Sequence, residues 1–361
     1  MKNLFLSITI IFTLISCKAL EDLFTPPQYN YKYSFVSYSL LNGSKKLIKE
    51  DIIPPYYFFP VKSNDGNDRL FFFGSNCGYY DPNGTPTYFN FKSYNILVSK
   101  KRKWIIFKEY DYNTGDGNFF ILDTSTLQIR EINTKLSLYY YENNYGLSSE
   151  RQNYSFSPDE TKLVLSDSIT YYGKAQLYIM DINTLTAGKI LEIKIDNFFD
   201  RIQFLSPVFS SDGSKIFFSI SYLDGFSADS INPKPGLYSI NSDGTSLMAI
   251  DTVEQSIQII RSAWSGELIF YSDYRNKLYK INEDGSGKIN TGISYNKGPI
   301  DFRVSSSGST IIWWNAFMGE GKDDNNIYLN NGSQSISIDK GFIVEFSQDE
   351  NSVEYIQMLK L

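Results

Sequence analysis

Residues Asn153–Asp167, with the sequence NYSFSPDETKLVLSD, carry the pattern that decides the fold of this chain. The short segment NYSF precedes a polar turn, SPDET, and the apolar run LVL follows the turn. Tight turns favour serine, proline, aspartate and glycine, and such a turn between two apolar segments is typical of a β-hairpin. The stretch therefore predicts two antiparallel strands joined by a short turn.

The same order of apolar segment, polar turn and apolar run recurs along the chain and gives seven copies. In the copy at Val208–Ile220 the second run is apolar on both faces of a strand, as in KIFF at Lys215–Phe218. A strand buried on both faces needs a sheet stacked against other sheets. The remaining copies are RVSSSGSTIIWWN at Arg303–Asn315, VEFSQDENSVEYIQ at Val344–Gln357, AWSGELIFYSD from Ala263, VSKKRKWIIFKE from Val98 and VKSNDGNDRLFFFG from Val61.

A second element follows most copies. It is an apolar strand that ends in an Asn, Asp or Gly turn, and a short fourth strand comes after it, as at Ser246–Ile250 and Gln128–Ile132. Four antiparallel strands repeated at a period of roughly 40–55 residues are the signature of propeller blades. A β-sandwich with similar turns is the alternative, and the matching strings in both hairpins favour the propeller. The third-strand strings are QLYIMDINT from Gln176, GLYSINSDGT from Gly236, KLYKINEDGS from Lys277, NIYLNNGS from Asn326 and the looser NFFILDTST from Asn118.

The turns FSPDE and FSSDG, followed by LYxxN or LYxxD strands, resemble the TolB-type (WD-like) propeller repeat. The resemblance covers the chain from about Tyr56 onward and implies the propeller fold found in the Tol–Pal system and in prolyl-oligopeptidase-like enzymes. Two copies depart from the turn consensus, at Lys100–Lys103 and at Ser265–Glu267. These two blades are inferred from their neighbours.

We therefore expect an all-β chain folded as a β-propeller of four-stranded antiparallel blades, with seven blades favoured and six or eight still open. The last copy runs to Leu361, which leaves no room for its third and fourth strands. The stretch Tyr31–Ile48 is strand-like and has no turn copy of its own. We predict that it supplies the outer strands of the C-terminal blade, so that the N- and C-terminal strands close the ring and remove an open edge.

The N-terminal segment has the features of an export signal. Lys2 provides positive charge, and Leu4–Ile15 is apolar but too short to span a bilayer. The end of the segment, LISC at Leu14–Cys17, resembles the lipobox of bacterial lipoproteins, which implies cleavage before Cys17, a diacylglyceryl group on its thiol and acylation (palmitate) of its amine. We assign residues 1–16 to a signal peptide, 17–30 to the lipidated cysteine and a tether, and 31–361 to the propeller.

The lipid would hold the protein in the bacterial cell envelope through a membrane anchor. We favour the outer membrane, with periplasmic and surface-facing orientations both open. Lys18, Glu21 and Asp22 follow the cysteine, and two acids are a weak match to the pattern that accompanies surface display in some Gram-negative groups.

Composition excludes several classes of chemistry. The chain has no histidine, which removes Ser-His-Asp and Cys-His catalysis and histidine zinc sites. The net charge of −6 argues against a nucleic acid partner. With Cys17 lipidated, Cys77 has no cysteine to pair with, and we interpret it as a buried apolar residue.

We expect a ligand on the face where second-to-third-strand loops and blade-to-blade links lie, because these are long and variable. We call it the long-loop face, and function concentrates on loops carried by a rigid scaffold. The long loops are Gly74–Pro86, Glu109–Gly117, Ser168–Lys174, Ser221–Pro235 and Ala316–Asn325, with links at Tyr139–Gly146 and Asp196–Arg201. The candidate ligand residues are Asp111, Asp116, Tyr171, Tyr172, Asp224, Asp229, Glu320, Asp323 and Asp324.

Two loop strings faintly resemble calcium loops, DYNTGDGN from Asp111 and NEDGSG from Asn282, but neither has the full ligand spacing. Asp111, Asn113 and Asp116 are the weak calcium candidates, and ordinary polar turns are favoured, so we expect no cofactor and no metal.

These features predict a non-catalytic binding or scaffold lipoprotein, a monomeric propeller that binds an envelope protein or a glycan. A propeller glycosidase or lyase acting through carboxylates and tyrosines is the alternative, since paired carboxylates can hydrolyse glycosides. A cation-stabilised adhesin is a third hypothesis. No catalytic residue is assigned.

Overall fold

The computed structural model describes residues 31–50, 57–62, 68–74, 76–93, 95–109, 118–132, 154–167, 174–194, 202–222, 233–252, 257–263, 267–273, 275–294, 300–315, 326–332 and 334–360. Over these ranges every regular element is a strand. In this part of the chain no helix is long and apolar enough to cross a membrane.

Twenty of the described strands form five four-stranded antiparallel sheets, which we call units 1–5. Unit 1 contains β3 (Tyr57–Val61), β4 (Arg69–Phe73), β5 (Cys77–Tyr80) and β6 (Pro86–Phe89). Unit 2 contains β7 (Asn95–Val98), β8 (Trp104–Lys108), β9 (Phe119–Asp123) and β10 (Ile129–Ile132). Unit 3 contains β11 (Tyr154–Phe156), β12 (Lys162–Asp167), β13 (Lys174–Asp181) and β14 (Ala187–Lys194). Unit 4 contains β15 (Ile202–Phe209), β16 (Lys215–Tyr222), β17 (Gly236–Asn241) and β18 (Met248–Thr252). Unit 5 contains β19 (Ile257–Ala263), β20 (Leu268–Asp273), β21 (Lys277–Asn282) and β22 (Ile289–Ser294).

The other seven strands form one sheet in the order β2-β1-β27-β26-β25-β24-β23. They are β1 (Tyr31–Ser39), β2 (Lys45–Lys49), β23 (Ile300–Val304), β24 (Ile311–Asn315), β25 (Asn326–Asn330), β26 (Ser335–Phe346) and β27 (Ser352–Lys360).

The long strand β26 divides this sheet into two four-stranded halves. Its residues 335–340 pair with β25, and its residues 341–346 pair with β27. We call β23, β24, β25 and the first half of β26 unit 6, and the second half of β26 with β27, β1 and β2 unit 7. This pairing agrees with seven blades, although the blade number itself stays a prediction.

The predicted joining of the chain ends is confirmed. Strand β1 pairs with β27 along its whole length, from Tyr31 opposite Lys360 to Ser39 opposite Ser352. Strand β2 pairs with β1 on the other side. The C-terminal hairpin and the N-terminal strands therefore form one unit, as the missing strands of the last repeat required.

The repeated serine and aspartate build the predicted hairpin turns. Ser210 Oγ accepts the Lys215 N–H at 2.9 Å and donates to the Asp212 carboxylate at 2.7 Å. Asp212 also accepts the Ser214 N–H. These hydrogen bonds lower the pKa of Asp212, and the one from Ser210 has the largest effect. Gly213 has a φ of 75°, a left-handed conformation that suits glycine.

Apolar side chains on both faces of each sheet form cores between neighbouring units. Phe218 packs with residues of unit 3, whereas the adjacent Phe217 packs with residues of unit 5. Trp313 and Trp314 likewise face units 5 and 7. Successive residues of a strand point to opposite faces, which explains the double apolar runs.

One predicted loop is wrong. The stretch Gly74–Pro86 contains strand β5 and the β5–β6 turn, so it is the outer hairpin of unit 1. Cys77 pairs with Phe89 and Tyr80 pairs with Pro86. The turn from Asp81 to Thr85 closes this hairpin, and the Asp81 carboxylate accepts the N–H groups of Asn83 and Thr85.

Candidate functional site

The residues predicted to bind a ligand on the long-loop face lie outside the described residues, and so does the lipidation site Cys17. This set comprises Asp111, Asn113, Asp116, Tyr171, Tyr172, Asp224, Asp229, Glu320, Asp323 and Asp324. The part of the candidate site within the described residues is the inner wall, formed by the first strands of the units.

First strands of successive units contact one another and line the inside of the ring, as β11, β15, β19, β23 and β26 do. One end of this inner wall carries the turns between first and second strands, and we call it the short-turn end. The other end carries the long loops. Strand β27 follows the short β26–β27 turn, and β1 ends at the short β1–β2 turn. The far ends of these two strands, Lys360 and Tyr31, therefore both lie at the long-loop end.

Four charged side chains form a network on the inner wall of units 5 to 7. Asp301 is 2% exposed and accepts a hydrogen bond from Arg303 at 2.9 Å and from Arg261 at 3.4 Å. Arg303 also donates to Glu345, whose side chain is 39% exposed. The network joins β19, β23 and β26, three strands that no turn connects directly.

The two arginines of this network differ in how firmly they are held. Arg303 lies 5.2 Å from the Trp314 ring, and the nearby carboxylates of Asp301 and Glu345 raise its pKa against the effect of burial. Arg261 makes contacts of only 3.3–3.4 Å, and burial beside Arg303 lowers its pKa to about 10. Arg261 is therefore held less closely by the carboxylates of the network than Arg303 is.

The short-turn end of the wall is bridged by the first turn of unit 2. Lys100 pairs with Glu350 of unit 7 at 2.7 Å and donates to Ser306 of unit 6. Glu350 in turn accepts the Ser306 N–H at 3.0 Å. Gln348 of unit 7 donates back to the Lys101 carbonyl at 3.0 Å. Turns of non-neighbouring units thus meet over this end of the ring.

A buried ion pair lies beneath this bridge. Arg102 donates to Glu354 at 2.6 Å and to the carbonyls of Pro60 and Phe346. Arg102 is 4% exposed and Glu354 is 8% exposed. Burial raises the pKa of Glu354 although Arg102 opposes the shift. One arginine of unit 2 therefore holds units 1 and 7 together.

The bridging residues occupy the left-handed position of their turns. Arg102, Glu160 and Glu350 have φ values of 57°, 60° and 55°. Glu160 accepts the Lys101 N–H of unit 2 at 2.6 Å, as Glu350 does for Ser306 of unit 6. A residue with a side chain here reaches the preceding unit, which the glycine of other copies cannot do.

The chemistry available to the described wall is limited. Asp301 and Glu345 are both engaged by Arg303. Within the described residues no group of three or more Cys, Asp or Glu side chains is placed to hold a metal ion. In the NEDGSG string, Asp284 accepts the Ser286 N–H at 2.8 Å and closes a polar turn, and its hydrogen bonds with Ser286 lower its pKa.

Cys77 lies in the hydrophobic core between units 1 and 2. Its side chain is fully buried, and the thiol contacts the Gly74 carbonyl at 3.6 Å. Burial raises its pKa to about 11, so the thiol stays protonated at neutral pH. The interpretation of Cys77 as a buried apolar residue agrees with this environment.

Sequence reasoning missed the wall network, although a signal was present. Arg261, Asp301 and Arg303 are the charged residues of first strands β19 and β23, whose other residues are apolar or uncharged. A charge in a strand that packs inside a ring requires a partner or a ligand, so such positions could have been singled out. In the Lys100–Lys103 turn, the run of four basic residues in place of the consensus is the corresponding signal.

Comparison with known proteins gives a likeness of fold. No family model and no curated protein sequence matches this chain. An oligogalacturonate lyase solved in complex with manganese is 14% identical with a TM-score of 0.53, over 84% of this chain and 96% of that one. The oligogalacturonate lyase from Vibrio parahaemolyticus is 13% identical with a TM-score of 0.54, over 90% and 96% of the two chains.

TolB from Acinetobacter baumannii is also similar, at 12% identity and a TM-score of 0.44, over 93% of this chain and 67% of that one. Identities this low speak to the fold alone. The chain is thus an all-β protein of antiparallel four-stranded blades, with β-propeller proteins among its structural neighbours.

Proposed function

We propose that this chain is a lipid-anchored, non-catalytic binding protein of the bacterial cell envelope, which takes a protein or a glycan on its long-loop face. The observation that carries the proposal is the bridge at the opposite end of the inner wall, where Lys100 meets Ser306 and Glu350. A ligand that enters the ring would then come from the long-loop end, among the loops that vary most between units.

The position of the chain termini supports an envelope partner. Strand β1 begins at Tyr31, at the long-loop end of unit 7. If Cys17 carries lipid, the 13 residues from Lys18 to Asn30 join it to this end. Fully extended, they would span at most about 45 Å. A partner of the long-loop face would therefore lie within that reach of the membrane.

The wall chemistry supports binding over catalysis. A glycosidase or lyase of the alternative kind needs a carboxylate that is free to exchange a proton or attack a substrate. Asp301 and Glu345, the described carboxylates of the wall network, are instead paired with Arg303.

The test is capture of a partner from envelope extracts by the full chain, compared between the wild type and variants that change four loop residues in two pairs. We expect one captured species that is lost in Asp224→Asn with Asp229→Asn, or in Tyr171→Ser with Tyr172→Ser. Loop tyrosines supply contact area and loop acids supply charge complementarity, so these pairs separate the two contributions.

A matched control removes two acids from the other end of the molecule. Asp68 and Glu267 are exposed residues beside first-to-second-strand turns, and Asp68→Asn with Glu267→Gln changes the net charge by the same amount. Capture that survives the loop changes and disappears in this control would contradict the placement. A glycan array separates the two ligand classes, since a glycan partner would bind there without extract.

A further inference from the structure

We propose that Arg261 and Arg303 form a binding site for an oxyanion group, a carboxylate or a phosphate, on the inner wall of units 5 and 6. The inference rests on the proposed function and deepens it, because it names a chemical group that a ligand would carry into the ring from the long-loop end.

The geometry places two guanidinium groups around one oxygen position. Both arginines donate to the same oxygen of Asp301, Oδ1, from neighbouring first strands. Each arginine side chain is 14% exposed, so both are largely shielded from solvent but keep a small exposed surface. Guanidinium groups present planar donors that match carboxylate and phosphate oxygens.

Arg261 has donor capacity that the protein uses poorly. Its three hydrogen bonds, to the carbonyls of Ile260 and Phe302 and to Asp301, measure 3.3–3.4 Å, at the long limit of such contacts. The pKa of Arg261 is lowered to about 10 by burial and by Arg303, which outweigh the neighbouring carboxylates. An anion that replaced Glu345 would keep the network neutral and would offer Arg261 a further hydrogen-bond acceptor.

Glu345 occupies the position that a ligand oxyanion would take on Arg303. The four groups sum to zero charge, with +2 from Arg261 and Arg303 and −2 from Asp301 and Glu345. Asp301 is a built-in partner at 2% exposure, whereas Glu345 is 39% exposed and is the group that an incoming anion can displace. The protein's own carboxylate therefore competes with the ligand.

The test is isothermal titration calorimetry of the full chain in detergent with inorganic phosphate and, separately, acetate at constant ionic strength. Glu345→Gln removes the competitor, and we expect at least about tenfold tighter binding, because a unit charge a few ångström away is worth more than that factor at a protein surface. Arg261→Gln should weaken binding by about tenfold for the same reason. Whichever probe binds more tightly identifies the oxyanion class.

The matched control is Glu192→Gln. Glu192 lies between Lys189 at 2.7 Å and Lys194 at 3.1 Å on the outer strand β14, so the change removes the same charge away from the ring. The inference is wrong if neither probe binds the wild type or Glu345→Gln, or if Glu345→Gln and Glu192→Gln bind equally. The latter comparison holds even if Arg261→Gln does not fold. Loss of anion binding with partner capture intact would overturn this site and leave the proposed function standing.

Discussion

Replacing Arg102 by glycine sets two opposing effects against each other at one position. Arg102 has a φ of 57°, and a left-handed conformation costs an ordinary residue about 1 kcal/mol, which glycine avoids. The same change removes the partner of Glu354, which is 8% exposed. Breaking a buried ion pair by deleting one partner costs about 3–5 kcal/mol. We therefore expect a net loss of about 2–4 kcal/mol in the free energy of unfolding.

Arg102→Ala and the double change Arg102→Gly with Glu354→Gln complete the experiment. Alanine loses the ion pair and keeps the left-handed strain, so it should be about 1 kcal/mol less stable than glycine. The double variant removes the uncompensated charge and should recover part of the loss. Urea denaturation followed by tryptophan fluorescence and circular dichroism gives the free energies, and coincident transitions justify their use.

The pH dependence provides a second signature. The folded pKa of Glu354 is already raised by burial, and removing Arg102 raises it further. A raised carboxyl pKa penalises the folded state above that pKa, and the penalty disappears as the pH falls through it. The difference between wild type and Arg102→Gly should therefore shrink in acid. If Arg102→Gly is as stable as wild type at neutral pH, local strain dominates and the buried pair does not hold units 1, 2 and 7 together.

Three further predictions each concern a single residue. Tyr271→Phe removes a buried hydroxyl that donates to Asp251 of the neighbouring unit, and we expect thermal or urea denaturation to show a loss of about 1.5–3 kcal/mol, the range for hydrogen bonds to charged groups; an unchanged midpoint would show that the bond does not matter. Asp349 has its pKa lowered mainly by the Ser347 hydroxyl, so its contribution is present above the unfolded pKa of about 3.9 and is lost as the pH falls; Asp349→Asn should reduce the dependence of stability on pH between roughly pH 5 and 2, and an unaltered slope would contradict this. Cys17→Ala should abolish acyl labelling and release the protein from the membrane fraction, whereas membrane association that survives the change would sink the lipoprotein prediction.

Much of the fold could be predicted because its determinants are local. A turn such as SPDET specifies its own hydrogen bonds within five residues, as Ser157 accepting the Lys162 N–H at 2.9 Å illustrates. Apolar runs on both faces require neighbouring sheets, and Phe217 and Phe218 do pack on opposite sides. Closure by Tyr31–Ile48 followed from counting strands. The turns and the apolar runs need only residues that are close in sequence, whereas the closure needs a count of strands along the whole chain.

The loop error has an equally local cause. The segment CGYY at Cys77–Tyr80 is only four residues long and follows a Gly-Ser-Asn stretch, so it carried no repeat signal. Gly78 lies so close to the Thr87 carbonyl in the paired strand β6 that a side chain would clash, so this position requires glycine. A short strand chosen by close packing cannot be recognised from alternation of apolar residues.

Contacts between distant residues could not be predicted. Arg102 and Glu354 are 252 positions apart, and no local pattern marks one as the partner of the other. The wall network joins Arg261 to Asp301 across units through the curvature of the ring. Such pairs depend on how many units close the ring and on the angle between them, which the repeat alone does not encode.

The departures from the repeat are informative for this reason. Gly213 and Gly308 adopt the left-handed turn position without strain, and Gly308 lies close against Ala263, Leu268 and Phe270 of unit 5. Arg102, Glu160 and Glu350 accept local strain at that position and use the side chain to reach another unit. Strain of this kind persists only where other contacts over-determine it. The Lys100–Lys103 turn, which departs from the consensus, also contacts units 6 and 7, so at this turn the departure accompanies an inter-unit contact and not a missing unit.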